Sequence, residues 1–354
     1  MEYYIVLLVF YAITLIFLRL VFAEIEGRQA RKMSNVRYFL RYHSKFVYRN
    51  QFSIIFVAFL CYMIVSVEKA FSTMWFLQLL GFIAVGVISD ALSQIVYYYY
   101  INFRFKKDIV ESEELKNEIE QAVLNQGEEL MQQTIPSYEP HRIIEDYLNE
   151  ENHLAVISVD GGNFTSQFEK LPPITYSVEL NPTKARETLE EKGVKVTTFT
   201  SQGKMPFKDE KLDVVVNELS NYDKFEMYRI LKPGGYLVVD QLGSDNYKEI
   251  INMFIPFKLK GQWNKEACQS TLTEIGFDIV DSYEDVGHIR FHSLSAVLAF
   301  MKSISPERVE KYEQFMNFYA DVLKKIKKNQ FYEITTHKFM VIARKNDMLS
   351  LIHI

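Results

Sequence analysis

Residues 205–239, MPFKDEKLDVVVNELSNYDKFEMYRILKPGGYLVV, read as a strand, a helix and a second strand with both joints marked. An acidic turn, Asp209-Glu210, leads into the apolar run Leu212 to Val216. A helical segment follows, closed by Leu231-Lys232-Pro233-Gly234-Gly235, and a second apolar run begins at Tyr236. Pro233 stops the helix because it has no N–H and clashes with the preceding turn, while Gly234-Gly235 supply the backbone angles needed to re-enter a sheet. A lone Pro-Gly-Gly would mark only a turn; the ordered block specifies much more.

That order resembles the fourth and fifth strands of class I S-adenosylmethionine-dependent methyltransferases. The resemblance covers about Asn152 to Lys345, and the segment Phe291 to Ile304 is similar to one found between the last two strands in a bacterial, type 11-like subgroup. It implies an α/β, Rossmann-like seven-stranded domain. The strands fall at Ala155 to Val159, Ile174 to Leu180, Val194 to Phe199, Leu212 to Asn217, Tyr236 to Gln241, Phe277 to Ser282 and Phe331 to Arg344. Ligands of such open sheets bind at the carboxyl ends of the strands, near the point where strand order reverses.

The resemblance implies S-adenosylmethionine as cofactor and places its contacts. Glu179, at the end of the second strand, accepts hydrogen bonds from the ribose hydroxyls; Gly161 and Gly162 let backbone approach the amino-acid end, where a side chain would intrude. The family's acid and alternating glycines after the first strand are altered here to Ser158, Asp160, Gly162 and Phe164. Asp160 either substitutes for the missing acid or crowds the methionine carboxylate. Ser201 stands where an adenine-contacting acid is expected, and a hydroxyl binds the adenine amino group less strongly than a carboxylate. Asn217 ends the fourth strand on the cofactor side. Beyond it, Glu218 is the candidate general base and Tyr222 the aromatic wall for the acceptor, with a cap or solvent-facing role for Glu218 as the alternative. His288 and His292, near the segment after the sixth strand, read as surface or core residues rather than ligands.

The first hundred residues have a different character. Tyr4 to Ala23 is an almost unbroken apolar run, long enough to cross a hydrocarbon core of ~30 Å. Further runs give spans over about 53–70 and 73–97, so a three-span α-helical transmembrane region, residues 1–103, precedes the methyltransferase-like domain. The first run lacks the basic start and cleavage motif of a signal peptide. Arg28, Arg31, Lys32, Arg37, Arg41, Lys45 and Arg49 follow the first span, and Arg104, Lys106 and Lys107 follow the third. The positive-inside rule then puts the N-terminus outside and everything after residue 103 in the cytoplasm of a cell whose plasma membrane holds the chain. The basic loop either sets topology or also binds headgroups through a surface helix. Asp90, beside the cluster Tyr97 to Tyr100, reads as an interfacial residue, with an intramembrane polar site as the alternative.

Residues 104–136 form a cytoplasmic linker, with Glu111 to Gln133 read as a solvated helix or short coiled coil. A helix over Tyr138 to Leu148 precedes the first strand, and residues 137–347 form the methyltransferase-like domain. The run Lys324, Lys325, Lys327, Lys328 reads as a solvated helix face, with a phosphate or headgroup contact as the alternative. Residues 348–354 end in Leu349 to Ile354, a string resembling translated adapter sequence, and are set aside as a non-native tail. A net charge of −5 gives no footprint for nucleic acid, and the two distant cysteines suggest neither a disulfide framework nor a zinc site. The expected partners are the lipid bilayer and a methyl acceptor of lipid, small-molecule or protein type. The alternative is a catalytically inactive relative serving as a membrane-tethered binding or scaffolding module.

Overall fold

The computed structural model describes residues 2–44, 73–124, 131–199, 204–254 and 263–346. The predicted span over 53–70, Ser201 and the tail 348–354 lie outside the described residues. In chain order the elements begin with helices α1 (Glu2–Lys32), α2 (Val36–Ser44), α3 (Thr73–Arg104) and α4 (Lys106–Leu124). Strand β1 (Met131–Gln133), helix α5 (Pro140–Glu145), β2 (His153–Ser158), α6 (Asn163–Ser166), β3 (Ile174–Glu179), α7 (Pro182–Leu189) and β4 (Lys195–Thr197) follow. Next come β5 (Leu212–Glu218), α8 (Lys224–Ile230), β6 (Leu231–Leu242), α9 (Lys248–Phe254), α10 (Lys265–Thr273) and β7 (Phe277–Phe291). The last elements are α11 (Leu294–Ile304), α12 (Pro306–Glu310), α13 (Met316–Asn329) and β8 (Tyr332–Lys345). They divide into two compact units, Met1–Leu130 with Phe291–Tyr332, and Met131–Arg290 with Glu333–Ile354.

In the first unit α1 packs along α3. Leu8–Lys32 and Thr73–Arg104 are both long and apolar enough to cross a membrane, with mean hydropathies of 2.2 and 1.9. Both helices outrun the spans expected from the sequence, at 4–23 and 73–97, because polar residues at their ends find partners on the other helix. Tyr97 donates to Glu26 at 2.5 Å and Tyr100 to Glu24 at 2.7 Å, so these two tyrosines face α1. The expected solvated linker is also different. Ile109, Ile119 and Ala122 of α4 are buried, and the helix packs on α2, α11 and α13. The helices between β7 and β8 thus group with the N-terminal helices. Helix α11 is capped by Ser293, which accepts from Ala296 N at 3.1 Å, and buries Leu294, Ala296, Val297, Leu298 and Met301. So apolar a helix must be covered, and its amphipathic neighbours supply the cover.

The second unit is an eight-stranded sheet in the order β1-β7-β8-β6-β5-β2-β3-β4. Strands β2, β3, β4, β5 and β6 pair in parallel, whereas β8 runs antiparallel to β6. Counted over the seven strands expected from the sequence, β2 to β8, the order is 3-2-1-4-5-7-6. Strand β1 is an addition: Met131–Gln133 was expected in the linker helix but lies beside β7, where Thr134 N donates to His288 O at 3.0 Å.

Alternation along the central strands builds the core on both faces. Ala155, Ile157, Val215, Leu237 and Val239 pack under α8 and α10 with Met227, Ile230 and Leu272. Leu154, Val156, Val214, Val216 and Val238 face the other side, with Ile144 and Phe164. Helix α8 opens on Asp223, which accepts from Phe225 N at 2.8 Å, and closes at Ile230. Pro233-Gly234-Gly235 falls inside β6, in an irregularity where pairing passes from Leu212↔Leu231 to Val214↔Tyr236. A Cβ on Gly235 would sit 2.9 Å from the carbonyl oxygens of Asp213 and Lys232, so glycine is required there.

Candidate functional site

The sheet changes direction between β2 and β5: the chain steps outward through β3 and β4 on one side and through β6 on the other. Register fixes which residues meet at the carboxyl ends. Ser158 pairs with Glu179, Ile157 with Asn217, and Glu218 with Asp240. Glu179, Ser158, Asn217, Glu218 and Asp240 are all buried. Five polar side chains in a row at the switch point of an otherwise apolar sheet need a reason, because each costs free energy unless it is hydrogen-bonded or paired.

Glu179 is 0% exposed, and its partners are all local. It accepts from Gly162 N at 3.0 Å, Gly161 N at 3.3 Å and Ser177 Oγ at 3.2 Å. Burial and the neighbouring Asp160 push its pKa up, and those hydrogen bonds hold it down. Gly161 and Gly162 have φ of 72° and 85°, the left-handed region in which glycine alone is unstrained. A Cβ would lie 2.7 Å from Lys184 Cδ at the first and 2.9 Å from Leu189 Cδ1 at the second. The glycines therefore seat the loop on α7 and turn two amides toward Glu179.

Ser158 links two carboxylates. Its Oγ is 2.9 Å from Glu218 Oε2 and 3.0 Å from Asp160 Oδ1. A hydroxyl has one proton to give, so it satisfies both neighbours only if one of them carries a proton of its own. Burial first, then Asp160 and Asp240, raise the Glu218 pKa to about 7 against the hydrogen bond from Ser158 and the charge of Lys338. Ser158 Oγ lies within donating distance of both carboxylates and accepts from Asp160 N at 3.4 Å. The other Asp160 oxygen accepts from Phe164 N at 2.7 Å and so caps α6. Phe164 is buried with its ring 4.2 Å from that of His141, whose Nε2 meets Phe164 O at 3.0 Å.

Two residues join the site that the sequence did not single out. Asp240, at the end of β6, is fully buried with Lys338 Nζ 2.9 Å from Oδ2. That contact is ionic rather than aligned, since neither carboxylate oxygen has a hydrogen-bond partner among the described residues. Burial raises the Asp240 pKa and Lys338 opposes the shift. Tyr138, just before α5, has a buried hydroxyl with no hydrogen bond among the described residues, and its pKa is raised by burial and then by Asp240. A lone aspartate within Tyr236 to Gln241 was the available signal for Asp240. Tyr138 had none.

Asn217 Oδ1 accepts from Gln241 Nε2 at 2.6 Å, and its own buried Nδ2 has no hydrogen-bond partner among the described residues. Gln241 Nε2 also donates to Ser220 O at 2.9 Å. Past these strand ends lies a cavity of about 480 Å³ bounded by Ser220, Asn221, Tyr222, Gln241 and Trp263. Tyr222 forms its wall, with its hydroxyl 3.9 Å from the buried Cys268 Sγ and its pKa raised by burial. His288 lies elsewhere, 3.7 Å from Glu333 on the β7 side of the sheet, and His292 Nδ1 contacts Gln330 O at 3.0 Å.

The two ends of this site differ in what they accept. S-adenosylmethionine carries a sulfonium and an ammonium against one carboxylate, and the buried acids Glu218 and Asp240, with Asp160 beside them, suit a net cation. The Asn217 Nδ2 and Tyr138 hydroxyl, without hydrogen-bond partners among the described residues, are groups that a ligand can satisfy. The methionine end therefore fits. At the ribose end the acceptor, Glu179, is held by the amides of its own loop.

No protein-family model matches the chain, and no curated protein matches it in sequence. Among solved structures it is similar to a proposed methyltransferase from Bacillus halodurans, at 18% identity over 58% of this chain and 97% of that one, with a TM-score of 0.42. It is similar to YcgJ from Bacillus subtilis at 13% identity over 58% and 97%, with a TM-score of 0.42. A proposed sarcosine dimethylglycine methyltransferase from Galdieria sulphuraria matches at 14% identity over 59% and 83%, with a TM-score of 0.38.

Proposed function

We propose that the chain is a membrane-anchored S-adenosylmethionine-dependent methyltransferase acting on an acceptor at the cytoplasmic face. The observation that carries this reading is the row Glu179, Ser158, Asn217, Glu218 and Asp240 at the carboxyl ends of strands ordered 3-2-1-4-5-7-6. The cofactor supplies an electrophilic methyl group. Glu179 is the residue to receive the ribose hydroxyls, Gly161 and Gly162 the backbone beside the amino-acid end, and Asp160 and Asn217 the polar groups around it. Ser201 is the proposed adenine contact. Glu218, whose pKa lies near neutrality, takes a proton from the acceptor, and the Tyr222 cavity orients it. Positioning does most of the remaining work when the acceptor is already nucleophilic. The helices α1 and α3, with basic residues beyond their ends, support an anchor whose N-terminus is outside.

One observation favours a second reading. The amides of Gly161 and Gly162 and the carboxylate of Glu179 satisfy each other, as they would in a domain that kept the fold and gave up the cofactor. Isothermal titration of S-adenosylmethionine into the full chain in detergent separates the two. Binding lost in Glu179→Ala supports the enzyme; absence of binding by folded protein supports a scaffolding module.

A further inference from the structure

The unit of N-terminal helices encloses a cavity of about 730 Å³ unrelated to the strand ends. It starts at Arg31, in the last turn of α1, and at Asp108, in the first turn of α4 just after α3 ends. Helices α2 and α13 complete it. Its floor is apolar, formed by Val36, Phe39, Leu115 and Leu323. Its rim is charged with both signs. Arg31 closes on Asp108 in a bidentate pair at 2.6 and 2.8 Å, and Lys327 on Glu118 at 2.6 Å. Beyond those pairs, Glu111, whose Oε1 is 3.7 Å from Lys107 Nζ, and Glu114 line the cavity from α4, while Asp321, Lys324 and Lys328 line it from α13.

We propose that this cavity holds the headgroup of a zwitterionic aminophospholipid, phosphatidylethanolamine. Lys324 and Lys328, one helical turn apart, receive the phosphate, while Glu111 and Glu114 accept hydrogen bonds from the primary ammonium. A purely anionic headgroup meets three carboxylates besides the lysines. A choline headgroup offers those carboxylates no N–H. The apolar floor takes the glycerol end of the lipid. The lysine run and the helix Val36–Ser44, which the sequence presents as separate features, become two walls of one site. The inference rests on α1 and α3 crossing the bilayer, which sets the cavity at headgroup depth, and is independent of methyl transfer.

The test is native mass spectrometry of the full chain released from detergent after incubation with equal amounts of phosphatidylethanolamine, phosphatidylcholine and phosphatidylglycerol. Phosphatidylethanolamine adducts are expected to dominate. The exposed double variant Lys324→Glu/Lys328→Glu should lower them roughly tenfold, the effect of about one charge-assisted hydrogen bond. Circular dichroism confirms that the variant is folded, and Glu111→Gln/Glu114→Gln should erase the preference over phosphatidylcholine. Equal retention of the three lipids, or variants that bind like the parent, overturns the proposal. Carbonate extraction of membranes tests the spans separately: a chain released by carbonate that still prefers phosphatidylethanolamine keeps the site and loses the spans.

Discussion

Arg19 Nη2 and Asp90 Oδ1 lie 2.7 Å apart, about halfway along the two long apolar helices α1 and α3. Arg19 is 2% exposed, its Nε reaches Ser93 Oγ at 3.3 Å, and Gln94 donates to the second Asp90 oxygen at 2.8 Å. The position of Asp90 close to Tyr97 suggested an interfacial residue or an intramembrane polar site; its partner on α1 makes it a half-buried, interhelical one. An ion in an apolar surround is tolerable only while it is paired, so this contact sets which faces of the helices meet.

Removing one partner should therefore be more damaging than removing both. Asp90→Ala leaves a buried guanidinium without its carboxylate and should cost about 3–5 kcal/mol of stability. The double variant Arg19→Leu/Asp90→Leu should recover most of that loss. Thermal unfolding of the full chain in detergent checks both, and equal damage from the single and double variants would count against the pairing.

Glu218 makes stability depend on pH in a direction opposite to most paired carboxylates. Its folded pKa, about 7, lies above the ordinary glutamate value of 4.5. The folded state thus binds the extra proton between those values, and the contribution is fully present below the lower one and lost as pH rises through the upper. The window corresponds to about 3 kcal/mol at ~1.4 kcal/mol per unit. Glu218→Gln should flatten the decline between mildly acidic and mildly alkaline buffer in urea titrations. An unchanged slope would remove the proton from Glu218.

The glycine loop gives a third expectation. Gly162→Ala places a Cβ 2.9 Å from Leu189 Cδ1 on a residue with φ of 85°, so strain and overlap act together. The cost should be about 1–3 kcal/mol, seen as a lower melting temperature. Gly193→Ala is the control: its φ is 70° with nothing within 4 Å, so it should lose only the backbone part.

Local signals carried the sheet and little else. The run Leu212 to Val239 set out β5, α8 and β6 because apolar runs, a cap and a Pro-Gly-Gly irregularity are all written in adjacent residues. Glu179, Gly161, Gly162, Asn217 and Glu218 were legible as strand-end positions in the same way. What they bond to was not. Glu179 accepts from the amides of its own loop, and Ser158, noted as a missing acid, bridges two acids. Such contacts depend on register between strands distant in sequence. The helix Lys106–Leu124 was misjudged as solvated for a related reason: its thin apolar stripe is covered by α11, which lies far along the chain.

The most direct measurement is calorimetric titration of S-adenosylmethionine into the full chain in detergent, with Glu179→Ala alongside and circular dichroism on both. The methyltransferase reading predicts micromolar binding that the variant abolishes while its fold is kept. Folded parent protein that takes up no S-adenosylmethionine would contradict it, and would mean that the contact between Glu179 and the amides of Gly161 and Gly162 is the permanent state of the loop.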